Sequence, residues 1–179
     1  MNKELSSLLD EMGLKAKIAS SILNTASSDQ KNKFFDLAIE SIQKDADTIL
    51  EANQADIQQA KENNKDEAFI DRLALDNERL HGICDTLEAI KSFEDPVGKV
   101  LATWDRPNGL NISRVATPLG VIGLIFESRP NVTSDVASLC FKSGNAVILR
   151  GGSEAINSNR VLSKLFRKAL KKNKVDENF

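Results

Sequence analysis

The chain has 179 residues with 24 basic and 26 acidic side chains, 41% hydrophobic and 28% charged content, two cysteines and one histidine. That length allows one domain or one and a fraction, and the balance of apolar and mixed-sign charged residues excludes disorder as the main state. Two cysteines cannot build a disulfide framework, and Cys84 and Cys140 lack the spacing of a metal knuckle, so a reducing, cytoplasmic setting and no metal are expected. No apolar run approaches the roughly 18 residues of a membrane span.

In chain order, Leu5, Leu8, Leu9, Met12, Ala16, Ala19, Ile22 and Leu23 recur at helical spacing and predict one buried stripe. Ser27 and Gln30 form a capping-box pattern before a second helix that turns Phe35, Ala38, Ile39, Ile42 and Ala46 inward. Thr48 to Glu62 favours helix, with Asn53 a candidate break, and Asn63 to Asp66 reads as loop. A short turn is expected over Phe69 to Leu73. Asp76 then caps a helix with the face Leu80, Ile83, Leu87 and Ile90, which stops by Asp95-Pro96.

Beyond Val100 the pattern becomes strand-like. Val100 to Trp104 and Leu110 to Ala116 flank Arg106-Pro107-Asn108-Gly109, the composition of a hairpin. Val121 to Phe126 and Ala146 to Leu149 are apolar runs expected as parallel strands buried on both faces. Between them Asn131 to Lys142 is helix-compatible, with Gly144 just past its end. Gly151-Gly152-Ser153 leads into a last amphipathic helix. The divisions are a helical segment 1–98, a hairpin 99–117 and an α/β segment 118–179. Two strands without a third leave an open sheet edge.

From Arg150 onward, eight Lys and Arg stand against Glu154, Asp176 and Glu177. Without interleaved aromatic residues this reads as a solvated helix face, and no nucleic-acid partner is expected. His81 reads as solvent-facing or partly packed, and Cys84 and Cys140 as inert packing residues. Trp104 is open between an interface anchor and plain packing.

Ligands of an open parallel sheet bind beyond the carboxyl ends of its strands. Two segments fall there. In Glu127-Ser128-Arg129-Pro130-Asn131, a guanidinium beside a helix start can grip a phosphate or carboxylate. The structural alternative has Asn131 capping the helix and Glu127 paired with Arg129. In Arg150-Gly151-Gly152-Ser153-Glu154, the glycines would admit a ligand close to the backbone, or simply make a turn that Ser153 caps.

Taken together, Pro118 to Gly123, Phe126 to Thr133 and Leu139 to Ala155 form a specific joint pattern. With Ile49 to Asn53 and Asp95 to Gly98 in front, it resembles the gamma-glutamyl phosphate reductases, also called glutamate-5-semialdehyde dehydrogenases, of the aldehyde dehydrogenase superfamily. The resemblance covers nearly the whole chain and about the first two fifths of the family's usual length.

It implies an α/β, aldehyde-dehydrogenase-like fold in incomplete form: N-terminal helices, a β-hairpin arm of the oligomerisation type, and part of a Rossmann-like sheet. It also implies NADPH-dependent reduction of L-glutamate 5-phosphate to the semialdehyde and phosphate, in proline biosynthesis. The family's nucleophilic cysteine lies downstream of this region, so turnover by these 179 residues alone is not expected. Position by position, the resemblance implies Ser128, Arg129 and Asn131 as substrate-binding residues, with Asn131 the oxyanion candidate. Arg150, Gly151, Gly152 and Ser153 are the implied NADP(H)-binding residues. A homo-oligomer and coupling to a glutamate 5-kinase are implied for the full-length enzyme. The competing readings are a stand-alone, non-catalytic nucleotide- or anion-binding module and a helical interaction protein.

Overall fold

Reciprocal capping starts the second helix as expected: the Gln30 N–H donates to Ser27 Oγ, and the Ser27 N–H donates to Gln30 Oε1, both at 3.2 Å. The computed structural model describes residues 3–179. Its helical front comprises α1 (Lys3–Leu23), α2 (Ser28–Lys44), α3 (Ala46–Glu62), α4 (Glu67–Leu73) and α5 (Asn77–Ser92). A hairpin of β1 (Val100–Asp105) and β2 (Asn111–Val115) follows. The last third is β3 (Val121–Ile125), α6 (Pro130–Lys142), β4 (Ala146–Arg150), a 3-10 turn at Ser153–Ala155 and α7 (Ile156–Lys172). The architecture is α/β, as the sequence implies.

Strand β3 pairs in parallel with β4, from Val121 opposite Ala146 to Ile125 opposite Arg150. The hairpin is antiparallel, with a register shift between Val100 and Ala102. Its turn closes through Arg106 N–H to Leu110 O at 2.8 Å, and Gly109 takes the positive φ of 85° that its missing Cβ permits. The two compositional halves share one core. Phe34 of α2 packs 4.1 Å from the Phe141 ring of α6 and 5.7 Å from Phe166 of α7, centroid to centroid. Each such ring contributes roughly 1.5–3 kcal/mol by leaving water.

A buried ion pair fixes the front to the hairpin's approach. Lys31, 1% exposed, donates through Nζ to both Asp95 oxygens at 2.9 Å. Asp95 also accepts from Ser28 Oγ and the Val97 N–H. Burial raises the Asp95 pKa, but these donors outweigh it and hold the carboxyl below its ordinary value. Lys142, also buried, is pushed down by desolvation and donates to Lys91 O at 2.8 Å and Asn32 Oδ1 at 3.2 Å.

Several expectations need correction. Only Ala16, Ala19 and Leu23 of the expected α1 stripe are buried; Leu5, Leu8, Leu9, Met12 and Ile22 are exposed. Helix α1 lies on β3 and β4 through its small residues near the C-terminal half, and its leucines extend past that support. Asn53 does not break α3 but is buried within it. Ala46 begins α3 and does not extend α2.

The turn expected at Phe69 to Leu73 is the short helix α4, capped by Asp66 Oδ1 accepting from the Phe69 N–H. Strand β3 is not buried on both faces. Ile122 and Leu124 are half-buried while Val121 and Ile125 are exposed, the alternation of a strand covered on one face alone. Trp104 stands exposed on the hairpin opposite Ile112, and among the described residues it is not part of the core. His81 is exposed, and burial raises both cysteine thiols above their ordinary range.

Candidate functional site

The loop from β3 to α6 is built by a reversal of the chain. Phe126 N–H still pairs with Arg150 O at 3.1 Å, extending the parallel ladder by one residue. Arg129 N–H then closes a tight turn on Glu127 O, and Pro130 opens α6 at a position that lacks a helical N–H partner anyway. Arg129 occupies the N-cap position without a side-chain cap. Asn131 therefore lies inside the first turn and does not cap it. Its Nδ2 donates instead to Asp135 Oδ2 at 3.1 Å, one turn along.

The four polar residues of this loop separate into two environments. Ser128 is buried, and its hydroxyl donates to Glu154 Oε2 at 2.9 Å. Arg129 and Asn131 are exposed and line a cleft of about 390 Å³ with Arg72, Arg79, Thr86 and Asp135. The pairing of Arg129 with Glu127 is present, but loosely: Nε to Oε2 is 3.5 Å and both side chains are largely in water, where such a pair is worth little. Arg79 is committed to Asp71 Oδ1 and to the carbonyls of Asp71 and Ala74. Arg72 has no ion-pair partner among the described residues.

The second loop departs from expectation. Ser153 does not cap a helix; its hydroxyl donates to Glu154 Oε2 at 3.3 Å. The first turn of α7 is satisfied by Asp56, fully buried on α3. Asn157 N–H and Nδ2 donate to Asp56 Oδ1 at 3.1 and 2.8 Å, and Ser158 N–H and Oγ donate to Oδ2 at 2.8 and 2.6 Å. This internal carboxylate takes the place at the helix start that an anionic ligand would otherwise occupy.

The glycines are accounted for by packing. A Cβ on Gly151 would lie 2.4 Å from Asn159 Nδ2 and 3.0 Å from Phe126 Cζ. One on Gly152 would lie 2.0 Å from Ser128 Oγ. Their bare Cα atoms let the two loops touch.

Lys65 completes this junction, donating to Glu154 Oε1 at 2.8 Å. Lys65, the backbone N–H of Glu154 and Ser128 together hold the Glu154 carboxyl at about 2. Beyond the end of β4, Gly151 lines a separate cleft of about 380 Å³ with Phe126, Asn159, Arg160, Lys164 and Arg167. Arg150 is exposed at its approach. Cations from α7, and not helix-start N–H groups, are thus what this side offers to a phosphate-bearing ligand.

Local reading of the sequence missed Arg72, Arg79, Lys65 and Asp56, which come from the helical front and carry no motif of their own. Asp135 was findable: it lies four residues after Asn131 on a helix, the spacing that puts two side chains on one face. No helix among the described residues is long and apolar enough to cross a membrane.

No protein-family model matches the chain. Its fold recurs in an acetylating aldehyde dehydrogenase from Geobacillus thermoglucosidasius, with a TM-score of 0.68 at 12% identity over 99% of this chain and 37% of that one. It is therefore the fold of the N-terminal part of aldehyde dehydrogenases.

Closer similarity is to gamma-glutamyl phosphate reductases. The structure of the Thermotoga maritima enzyme matches with a TM-score of 0.92 and 40% identity, covering 95% of this chain and 41% of that one. The Saccharomyces cerevisiae enzyme matches at 0.86 and 32%, covering 90% and 41%. The curated Brucella suis biovar 1 relative of that name is 49% identical over 170 residues, or 95% of this chain and 40% of its own length. The chain is a homologue of the N-terminal part of the gamma-glutamyl phosphate reductases, and spans about two fifths of the length of the curated relatives it matches.

Proposed function

We propose that this chain supplies the substrate-recognition loop and one wall of the cofactor site for reduction of L-glutamate 5-phosphate to L-glutamate 5-semialdehyde and phosphate, a step of proline biosynthesis. The observation that carries this reading is the convergence of Arg129 and Asn131 with Arg72 in one cleft beyond β3. Two guanidiniums with little internal pairing suit a doubly anionic substrate, since each can give a bidentate, charge-assisted grip on phosphate or carboxylate. Asn131 adds an amide donor for a developing oxyanion, released from Asp135 on binding. Ser128 serves the same loop indirectly, by anchoring it to Glu154.

NADP(H), the hydride donor of the proposed reaction, fits the cleft beside Gly151. Arg160, Lys164 and Arg167 offer three cations for its phosphates, and Arg150 is exposed one residue before Gly151. Gly151 lines that wall, and Gly152 and Ser153 act from the turn that follows it. Neither Cys84 nor Cys140 is suited to be the nucleophile, because both are buried with thiols pushed up by desolvation. The acyl-accepting cysteine is assigned to the remainder of a full-length enzyme, together with homo-oligomerisation, cytoplasmic location and any coupling to a glutamate 5-kinase. The test is an Arg129→Ala form of the full-length enzyme: affinity for the acyl phosphate should fall about tenfold or more. Unchanged affinity would overturn the assignment.

A further inference from the structure

Within the cleft shared by Arg72, Arg129 and Asn131, two carboxylates carry the same sign of charge as the proposed anionic ligand, and one of them, Asp71, is paired with Arg79. Asp135 is half-buried on α6, one turn past Asn131. Among the described residues its only hydrogen bond is the one from Asn131 Nδ2, at 3.1 Å to Oδ2. A carboxylate has two oxygens and about four lone-pair sites, so most of its acceptor capacity is unused.

The cleft is not short of cations, yet none pairs with Asp135 among the described residues. Arg79 is turned to Asp71 and two backbone carbonyls, and Arg129 faces Glu127. Burial with a single amide donor leaves the Asp135 carboxyl above its ordinary value. Partly desolvated carboxylates are costly unless a positive donor joins them. Arg72, Arg129 and Asp135 thus share one concave surface without pairing with one another, the arrangement expected where a dipolar ligand supplies the missing partners.

Resting on the function proposed above, we infer that Asp135 recognises the α-ammonium group of the amino-acid substrate. Arg72 and Arg129 take its anionic ends. The cleft then selects an amino-acid acyl phosphate over an acyl phosphate of the same length without the amino group. Asn131 links the two tasks, because the amide that now occupies Asp135 is freed for the acyl oxygen when the ammonium arrives.

The test uses two stable phosphonates in calorimetric titration of the full chain: L-2-amino-6-phosphonohexanoate and 6-phosphonohexanoate. The unsubstituted protein should bind the amino compound at least about tenfold more tightly, the expected value of one charge-assisted contact. Asp135→Asn should abolish that preference while leaving affinity for 6-phosphonohexanoate within about twofold. Equal binding of both compounds by the unsubstituted protein, or a preference that survives Asp135→Asn, overturns the assignment of Asp135 and leaves the anion cleft standing. Failure of both compounds to bind the unsubstituted protein overturns the cleft as a substrate site, and this inference with it. Should Asp135→Asn fail to fold, the comparison on the unsubstituted protein decides alone.

Discussion

The Ser128 hydroxyl donates to Oε2 of Glu154 at 2.9 Å, joining the loop after β3 to the loop after β4. Lys65 grips the other oxygen of the same carboxylate from the helical front. One acid therefore ties three parts of the chain together.

With its pKa held at about 2, against an ordinary 4.5, Glu154 favours the folded state whenever it is ionised. That stabilisation is fully present above about pH 4.5 and is lost as pH falls toward 2. Urea unfolding midpoints across this window should drop more steeply for the unsubstituted protein than for Glu154→Gln. Parallel slopes would show that the junction adds nothing.

Gly152→Ala should destabilise by about 1–3 kcal/mol, because its Cβ would lie 2.0 Å from Ser128 Oγ and 3.0 Å from Ser128 N. Gly82→Ala is the contrasting substitution. It sits within α5 with nothing within 4 Å of its Cβ, and should stabilise by up to about 1 kcal/mol. Chemical denaturation of both variants would reveal whether the close approach of the loops, and not glycine content, sets the difference.

Asp56→Ala should cost about 2–4 kcal/mol, since it strips four donors at the start of α7 in a place water does not reach. Asn53→Ala acts on the same seam. Asn53 donates to Leu73 O at 2.8 Å and Ser158 Oγ at 3.1 Å and accepts from the Leu75 N–H at 2.7 Å. Because both residues bond Ser158, the double variant should lose less than the sum of the two single losses, and equilibrium unfolding of all three would measure the coupling.

Arg129→Ala should leave the thermal midpoint nearly unchanged, because the side chain is exposed and its one ion pair is 3.5 Å long. Its effect is expected in binding of phosphonate or phosphate ligands alone. A large fall in the midpoint would mark Arg129 as a structural residue.

These contrasts follow the range over which sequence speaks. The Ser27 and Gln30 cap, the Arg106–Gly109 turn and the Asp76 cap of α5 were legible because their partners lie within a few residues. Placing Arg129 and Asn131 beyond a parallel strand was legible for the same reason. What the Gly151-Gly152-Ser153 turn would do was not. Its expected cap was replaced by Asp56, about a hundred residues earlier in the chain, and its open glycine faces are filled by Ser128, Phe126 and Asn159. Asn53 looked like a break because its propensity was read without the three partners, Leu73, Leu75 and Ser158, that only the folded chain supplies. The exposed leucines of α1 show the reverse error, an amphipathic pattern with no surface at hand to cover it.

Asp56 also sets an order of events. A chain synthesised from its N-terminus presents this carboxylate about a hundred residues before Asn157 and Ser158 exist to receive it. Until then its hydration keeps the inner side of α3 in water, whatever helical content α3 has acquired. Closing that seam requires a loop of about a hundred residues to be drawn together, an entropic cost that the formation of α3 by itself does not carry.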